Sequence, residues 1–172
     1  SAKNNGDTIK AKEYYKKGIS YFKTAISMNP EYIEAFFNLA YSYEMINKYD
    51  SAIINYRKNI ELKPDNIRSM SNMANIYFSK YENYDSAIAI NDRIMKISPE
   101  SDIPYVNLGT YSLKKGDTIT AVNYYETALE KFPKNFDLAS KLSNYYKGND
   151  QEKYFKYQQM AIEAKKEFME QE

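Results

Sequence analysis

Apolar residues in this chain recur at helical spacing, and the spacing itself then recurs a fixed distance along. Phe36, Leu39, Ala40 and Tyr43 fall at i, i+3, i+4 and i+7, one face of a 3.6-residue helix. Met70, Met73, Ala74 and Tyr77 repeat that face, and Tyr105, Leu108 and Gly109 repeat it again. A second stretch follows each of these: Tyr49, Ala52 and Tyr56, then Tyr84 and Ala87, then Ala121, Tyr125 and Ala128. Turn signals separate the two, at Asn47-Lys48-Tyr49-Asp50 and at Lys115-Gly116-Asp117, where glycine can take the left-handed conformation that ends a helix. Asp50, Asp85 and Asp117 stand where an N-cap for the following helix is expected. The small Ala40, Ala74 and Gly109, answered by Ala52, Ala87 and Ala121, predict close packing within each pair. The pattern predicts an all-α chain of antiparallel helix pairs.

Proline marks the period. Pro30, Pro64, Pro99 and Pro133 are separated by 34, 35 and 34 residues, and each should end a second helix. An extra residue around 81–83 accounts for the longer step. A period of 34 with an aromatic three residues before Leu-Gly or Leu-Ala, then Ala, an aromatic four later and Pro, resembles the tetratricopeptide repeat. That resemblance implies a right-handed superhelical α-solenoid of antiparallel helix pairs: an incomplete first repeat at 7–30 with one long helix over 7–28, then repeats at 31–64, 65–99 and 100–133. A fifth pair, 134–172, carries Leu138, Leu142 and Tyr146 on its first helix and ends in a charged helix over 151–169. Glu163, Lys165, Lys166, Glu167 and Glu170 are expected to give that terminal helix the polar outer face such arrays need. Asn59, Asn91 and Ser112 depart from the pattern where Ala, an aromatic and Tyr are usual, and are expected to loosen packing locally.

Composition narrows the chemistry. With 24 Lys and Arg against 23 Asp and Glu, the chain lacks the basic surplus of a nucleic-acid binder. It has no Cys and no His, which removes thiolate nucleophiles, disulfides, Cys/His zinc sites and imidazole acid–base chemistry. No Gly-rich phosphate loop or nucleophile elbow occurs, and no catalytic residue, cofactor or metal is assigned. No apolar run is long enough to span a bilayer, and residues 1–5 are polar, without the apolar core of a signal peptide. The compartment is left open between cytoplasmic and periplasmic; usage rich in Lys, Asn, Ile and Tyr suggests an AT-rich bacterial genome.

The resemblance also implies a function: the first helices of successive pairs line a concave groove that holds a protein or an extended peptide. The groove positions carried over are Phe37, Asn38 and Tyr41, then Asn72, Asn75 and Phe78, then Asn107, then Lys141. Asn38, Asn72 and Asn107 are equivalent and are expected to form a ladder of amides, each able to donate and accept along a peptide backbone. Phe37, Tyr41 and Phe78 are expected either to anchor apolar side chains of a guest or to pack against neighbouring helices. Asn75, Asn107 and Lys141 match three places of the family's carboxylate clamp for chaperone tails, but Ser71 and Asp137 stand where lysines are needed, which argues against that ligand. Glu34 and Glu44 toward one end and Lys141 and Lys147 toward the other would give a groove direction. The alternative reading is a structural spacer or self-association module of a larger protein.

Overall fold

A computed structural model of the chain describes residues 2–169, with side chains from residue 10 onward. Every element among the described residues is a helix: α1 (Ala2–Met28), α2 (Ile33–Met45), α3 (Tyr49–Leu62), α4 (Ile67–Lys80), α5 (Tyr84–Ile97), α6 (Ile103–Lys115), α7 (Thr118–Lys131), α8 (Phe136–Tyr146) and α9 (Gln151–Met169). Each of the four periodic prolines stands two residues beyond the last residue of a helix, so the ring stops α1, α3, α5 and α7. Pro104 instead occupies the first turn of α6, where its missing N–H costs nothing.

The caps differ in part from expectation. Asp117 caps α7, accepting from Thr120 N at 3.0 Å. Asp50 and Asp85 lie inside the first turns of α3 and α5 instead. Asn83 accepts from Ser86 N at 3.1 Å at the start of α5, and Asp50 accepts from the Tyr81 hydroxyl at 2.5 Å. Asn66 and Asn135 cap α4 and α8 through Ser69 N and Leu138 N, and Asp150 does the same for α9 through Lys153 N. The 35-residue step is absorbed at the end of α4, which has 14 residues against 13 in α2, and Glu82 closes its turn at φ 49°.

The chain divides into two compact units, 1–90 and 91–172, with the division inside α5. In the first, α1 packs on α2, α2 on α3 and α3 on α4. Its core joins Phe37, Ala40, Ala52, Ile53, Tyr56 and Ile76. In the second, α6 packs on α7, α7 on α8 and α8 on α9, around Tyr105, Val122, Tyr125, Leu129, Leu138 and Tyr157. The small residues at the crossings are sealed: Ala40, Ala52, Ala74, Ala87 and Ala121 are all 0% exposed.

Gly109 shows why they are small. A Cβ built on it would collide with Cε1, Cδ1 and Cζ of Tyr125, so the ring occupies the space a side chain there would need.

Two of the three departures from the repeat pattern are bonded polar joints. Asn59, fully buried, donates to the Ile33 carbonyl at 2.6 Å and accepts from Asn66 Nδ2 at 2.6 Å and Ser69 Oγ at 2.7 Å. It ties the starts of α2 and α4 to α3, so packing is not loosened there. Asn91 is equally buried, accepts from Asn107 Nδ2 at 3.0 Å and shares a hydrogen bond with the Tyr111 hydroxyl. Ser112 is buried as well.

Helix α9 differs from α3 and α7 in the residues that follow its inward positions. Ile53 and Ile60 on α3, and Val122 and Leu129 on α7, each follow the small inward residues and are nearly covered. On α9 the residues following buried Tyr157 and Ala164 are the polar Gln158 and Lys165. Glu163, Lys165 and Lys166 are exposed as expected, but Glu167 is half-buried and pairs with Lys134 at 2.6 Å, and Glu170 lies outside the described residues. The outer side of α9 is also less polar than expected, because Phe155, Ile162, Phe168 and Met169 are exposed on it.

Gly109→Leu is expected to lower the stability of the second unit by about 3 kcal/mol through overpacking against Tyr125. Gly18→Ala, whose new methyl would meet only ordinary contacts at 3.4 and 3.6 Å, is expected to add about 0.5–1 kcal/mol from helix propensity. Urea unfolding followed by circular dichroism checks both; an unchanged midpoint for the leucine variant would contradict the packing at that crossing.

Candidate functional site

The groove residues named from the sequence divide between the two units. In the first, Asn38 on α2 is exposed, and Asn72 on α4 is half-buried and donates its amide to the Tyr56 hydroxyl at 2.8 Å. Tyr56 donates onward to Glu44 Oε2 at 2.7 Å. In the second, Asn107 on α6 is half-buried and donates to Asn91. Lys141 on α8 is exposed and stands over the Tyr125 ring, 5.6 Å from its centroid.

These contacts share one geometry. Asn72 to Tyr56, Asn107 to Asn91 and Lys141 to Tyr125 each reach back sixteen residues, from one place on a first helix to one place on the helix before it. Asn72 and Asn107 thus each use one donor to tie helix to helix.

The aromatic residues pack mainly among themselves. Phe37 is 8% exposed, tilted against Tyr56 at 5.8 Å and stacked with Tyr41 at 6.5 Å. The Arg68 guanidinium sits 4.5 Å above the Phe37 ring. Tyr41, 37% exposed, meets Tyr15 of α1 edge-on at 6.0 Å. Phe78 is half-buried against Tyr84 at 5.8 Å, and Asn75 is exposed on α4. Beside Phe37 and Asn38, a cleft of about 310 Å³ is lined by Glu34, Lys63, Asn66 and Arg68.

Two carboxylates show opposite electrostatics. Burial raises the Glu44 carboxyl above its ordinary value, and the Tyr56 hydroxyl only partly offsets this. Burial also works against Glu126 on α7, but hydrogen bonds from Tyr157, Lys153 and Tyr146 outweigh it and hold its carboxyl low. Those bonds are 2.8, 3.0 and 2.9 Å long, all to Oε1, and join α7 to α8 and α9. Sequence reasoning missed this joint; no spacing within one helix signals three donors from two others.

A larger cleft, about 860 Å³, opens between the start of α8 and the end of α9. Phe132, Pro133, Phe136, Ala164 and Phe168 form its walls, and Asp102, Lys134 and Lys165 stand among them. Among the described residues no helix is long and apolar enough to cross a membrane.

Stacked helix pairs with sealed small-residue crossings and a repeated tie between pairs define a helical-repeat scaffold. Models of the tetratricopeptide repeat match residues 21–54 and 104–135, so the chain carries tetratricopeptide repeats. Such repeats generally serve as non-catalytic scaffolds for protein interaction.

Among solved structures, the fold resembles a crystal structure of MamA at 19% identity, with TM-score 0.76 over 96% of each chain. It also resembles pilF of Pseudomonas aeruginosa at 19% identity, with TM-score 0.67 over 92% of this chain and 78% of that one. PilW, described as a widely conserved type IV pilus biogenesis factor, is 20% identical with TM-score 0.64, over 96% of this chain and 79% of that one. A UDP-N-acetylglucosamine–peptide N-acetylglucosaminyltransferase of Giardia intestinalis is 32% identical over 69 residues, which are 40% of this chain and 5% of that protein. The chain therefore matches only a small part of that relative.

Replacing Glu126 and Glu44 by Gln should separate the two environments. The Glu126 carboxyl titrates lower in the folded chain, so its contribution is present above the ordinary carboxyl range near pH 4 and is lost as pH falls through the lowered value. Glu126→Gln is expected to cost about 2 kcal/mol at pH 7, with the gap to the parent chain closing below about pH 4. Glu44 has the opposite sign: its raised value favours folding below the ordinary range, and that benefit is lost as pH rises through it. Glu44→Gln, which keeps an acceptor for Tyr56, is expected to leave stability at pH 7 equal or slightly higher. Urea midpoints at both pH values decide this, and equal losses for the two variants at pH 7 would refute the assignment.

Proposed function

We propose that this chain is a protein- or peptide-binding scaffold that acts without catalysis, and that the equivalent amide positions on the first helices of each unit contact the guest. One observation carries this reading: the same place on α2, α4 and α6 holds Asn38, Asn72 and Asn107, none of them fully buried. An amide at that place suits a peptide backbone whatever its side chains, because it can donate and accept at once. Tyr41, Asn75 and Lys141, exposed on first helices, supply further contacts in each unit. Phe37 and Phe78 act by shaping these positions from beneath, since packing within their own unit already claims much of their area. We also propose that the repeats divide the chain as the proline period does, at 7–30, 31–64, 65–99, 100–133 and 134–172.

A second reading, self-association, is favoured by the cleft between the start of α8 and the end of α9. Phe136 and Phe168 remain 42% and 65% exposed there, a costly arrangement for a surface with no further use.

Affinity capture from source-cell extract, with the parent chain and an Asn38→Ala, Asn72→Ala, Asn107→Ala variant as baits, tests the first reading. The same partner should be recovered at least about tenfold less with the variant at unchanged helicity; undiminished recovery would sink the amide contacts. Sedimentation of the parent chain and Phe168→Ser over a range of concentrations tests the second. Association that the serine abolishes supports it, and a monomer throughout rejects it.

A further inference from the structure

The three equivalent amides are not held alike. Sixteen residues before Asn38, Asn72 and Asn107 stand Phe22, Tyr56 and Asn91, on α1, α3 and α5. Phe22 offers no hydrogen-bonding group, and the exposed side chain of Asn38 has no hydrogen bond among the described residues. Asn72 is tied through two bonds in series: its amide meets the Tyr56 hydroxyl at 2.8 Å, and that hydroxyl meets Glu44 Oε2 at 2.7 Å.

This series has one sense. A carboxylate accepts and cannot donate, so the single hydroxyl proton of Tyr56 goes to Glu44. Tyr56 is fully buried, which leaves that proton no solvent to turn to. The phenol oxygen then has only a lone pair to offer, and only the nitrogen end of Asn72 can meet it. Turned over, the amide would set its carbonyl oxygen against the phenol oxygen with no proton between them. An amide without such an anchor has two ends of nearly the same shape and no preferred sense. Burial works against the charge on Glu44, while Tyr56 and Lys80 of α4 favour it.

In the other unit the same sense is reached with different residues. Asn107 gives its nitrogen to Asn91 Oδ1 at 3.0 Å, and the fully buried Asn91 is itself bonded to the Tyr111 hydroxyl. Asn72 and Asn107 thus both turn Nδ2 to the preceding helix, and neither Oδ1 has a hydrogen bond among the described residues.

Resting on the reading of Asn72 as a guest contact, we propose that Glu44 is a positioning residue for that contact. Acting through Tyr56, it holds Asn72 with Oδ1 free to accept, so that this place reads a backbone N–H of the guest and not a carbonyl.

Exchange of the side-chain amide protons, followed by NMR at about pH 7, tests the anchor without a guest. One Asn72 proton is expected to exchange at least about tenfold more slowly than those of Asn38, and to lose that protection in Tyr56→Phe. For the guest, displayed peptides of random sequence, about ten residues long, are selected on the parent chain and kept if Asn72→Ala weakens their binding. Each backbone N–H of a kept peptide is then replaced in turn by an ester oxygen, with affinity read by fluorescence anisotropy. One ester is expected to cost about tenfold on the parent chain and nothing on Asn72→Ala. In Glu44→Met, which has no acceptor, the Tyr56 proton turns to Asn72 Oδ1, the amide flips, and the penalty for that ester should vanish. Glu44→Gln, which can still accept from Tyr56, should retain it. A Glu44 that served stability alone would leave the ester penalty unchanged. Tyr56→Phe replaces Glu44→Met if the methionine chain does not fold, and there too the penalty should fall.

Asn72 protons that exchange as freely as those of Asn38 would overturn the inference. So would an ester scan with no position coupled to Asn72, or an equal ester penalty on Glu44→Met and the parent chain. Recovery of no peptide that depends on Asn72 would instead reject the amide contact itself, and the inference with it.

Discussion

The close approach of paired helices is the constraint on which the rest depends. A tyrosine ring lies where any side chain on residue 109 would have to stand, and Ala40, Ala52, Ala74, Ala87 and Ala121 are fully covered. When the backbones approach this closely, large residues at flanking positions can interdigitate without voids, and dispersion and apolar burial are gained along the whole length of each helix. The proline after each second helix then stops it before it outgrows its partner. Periodicity, turn placement and the orientation of the outer side chains all follow from that crossing.

Polar residues join what the crossings bring together. Asn59 carries three hydrogen bonds at a position where alanine is usual, and Glu126 gathers a lysine and two tyrosines from two other helices. A buried polar group costs free energy unless it is satisfied, so such a joint specifies one register and penalises slippage. The same logic gives the amide positions two uses. Asn72 and Asn107 each commit one donor to the preceding helix, which fixes the side chain in space before any guest arrives. A held amide loses less rotamer freedom on binding than a loose one, and that favours affinity.

Helices α9 and α1 both leave apolar side chains exposed. On α9, Gln158 and Lys165 follow the buried Tyr157 and Ala164, while Phe155, Ile162 and Met169 stand exposed at seven-residue spacing. On α1, Tyr14, Tyr21 and Met28 stand exposed at seven-residue spacing.

The sequence by itself determined the helices, their pairing and their limits, because these rest on local physics: the period of apolar residues, proline's missing donor, and glycine or alanine where backbones must touch. Gly109, Ala121 and Pro133 could be read in that way without coordinates. Tertiary structure alone decided how the polar residues were used. Nothing near Asn59 in sequence shows that its amide meets the carbonyl of Ile33, 26 residues earlier, or that Glu126 would collect donors from residues up to 31 positions away. It also decided that Phe37 is a core residue, since burial depends on which helix lies across a side chain and not on the residues beside it in the chain. Local rules set where helices begin and end; the contacts between helices, which join residues far apart in the chain, set what each exposed or buried side chain can do.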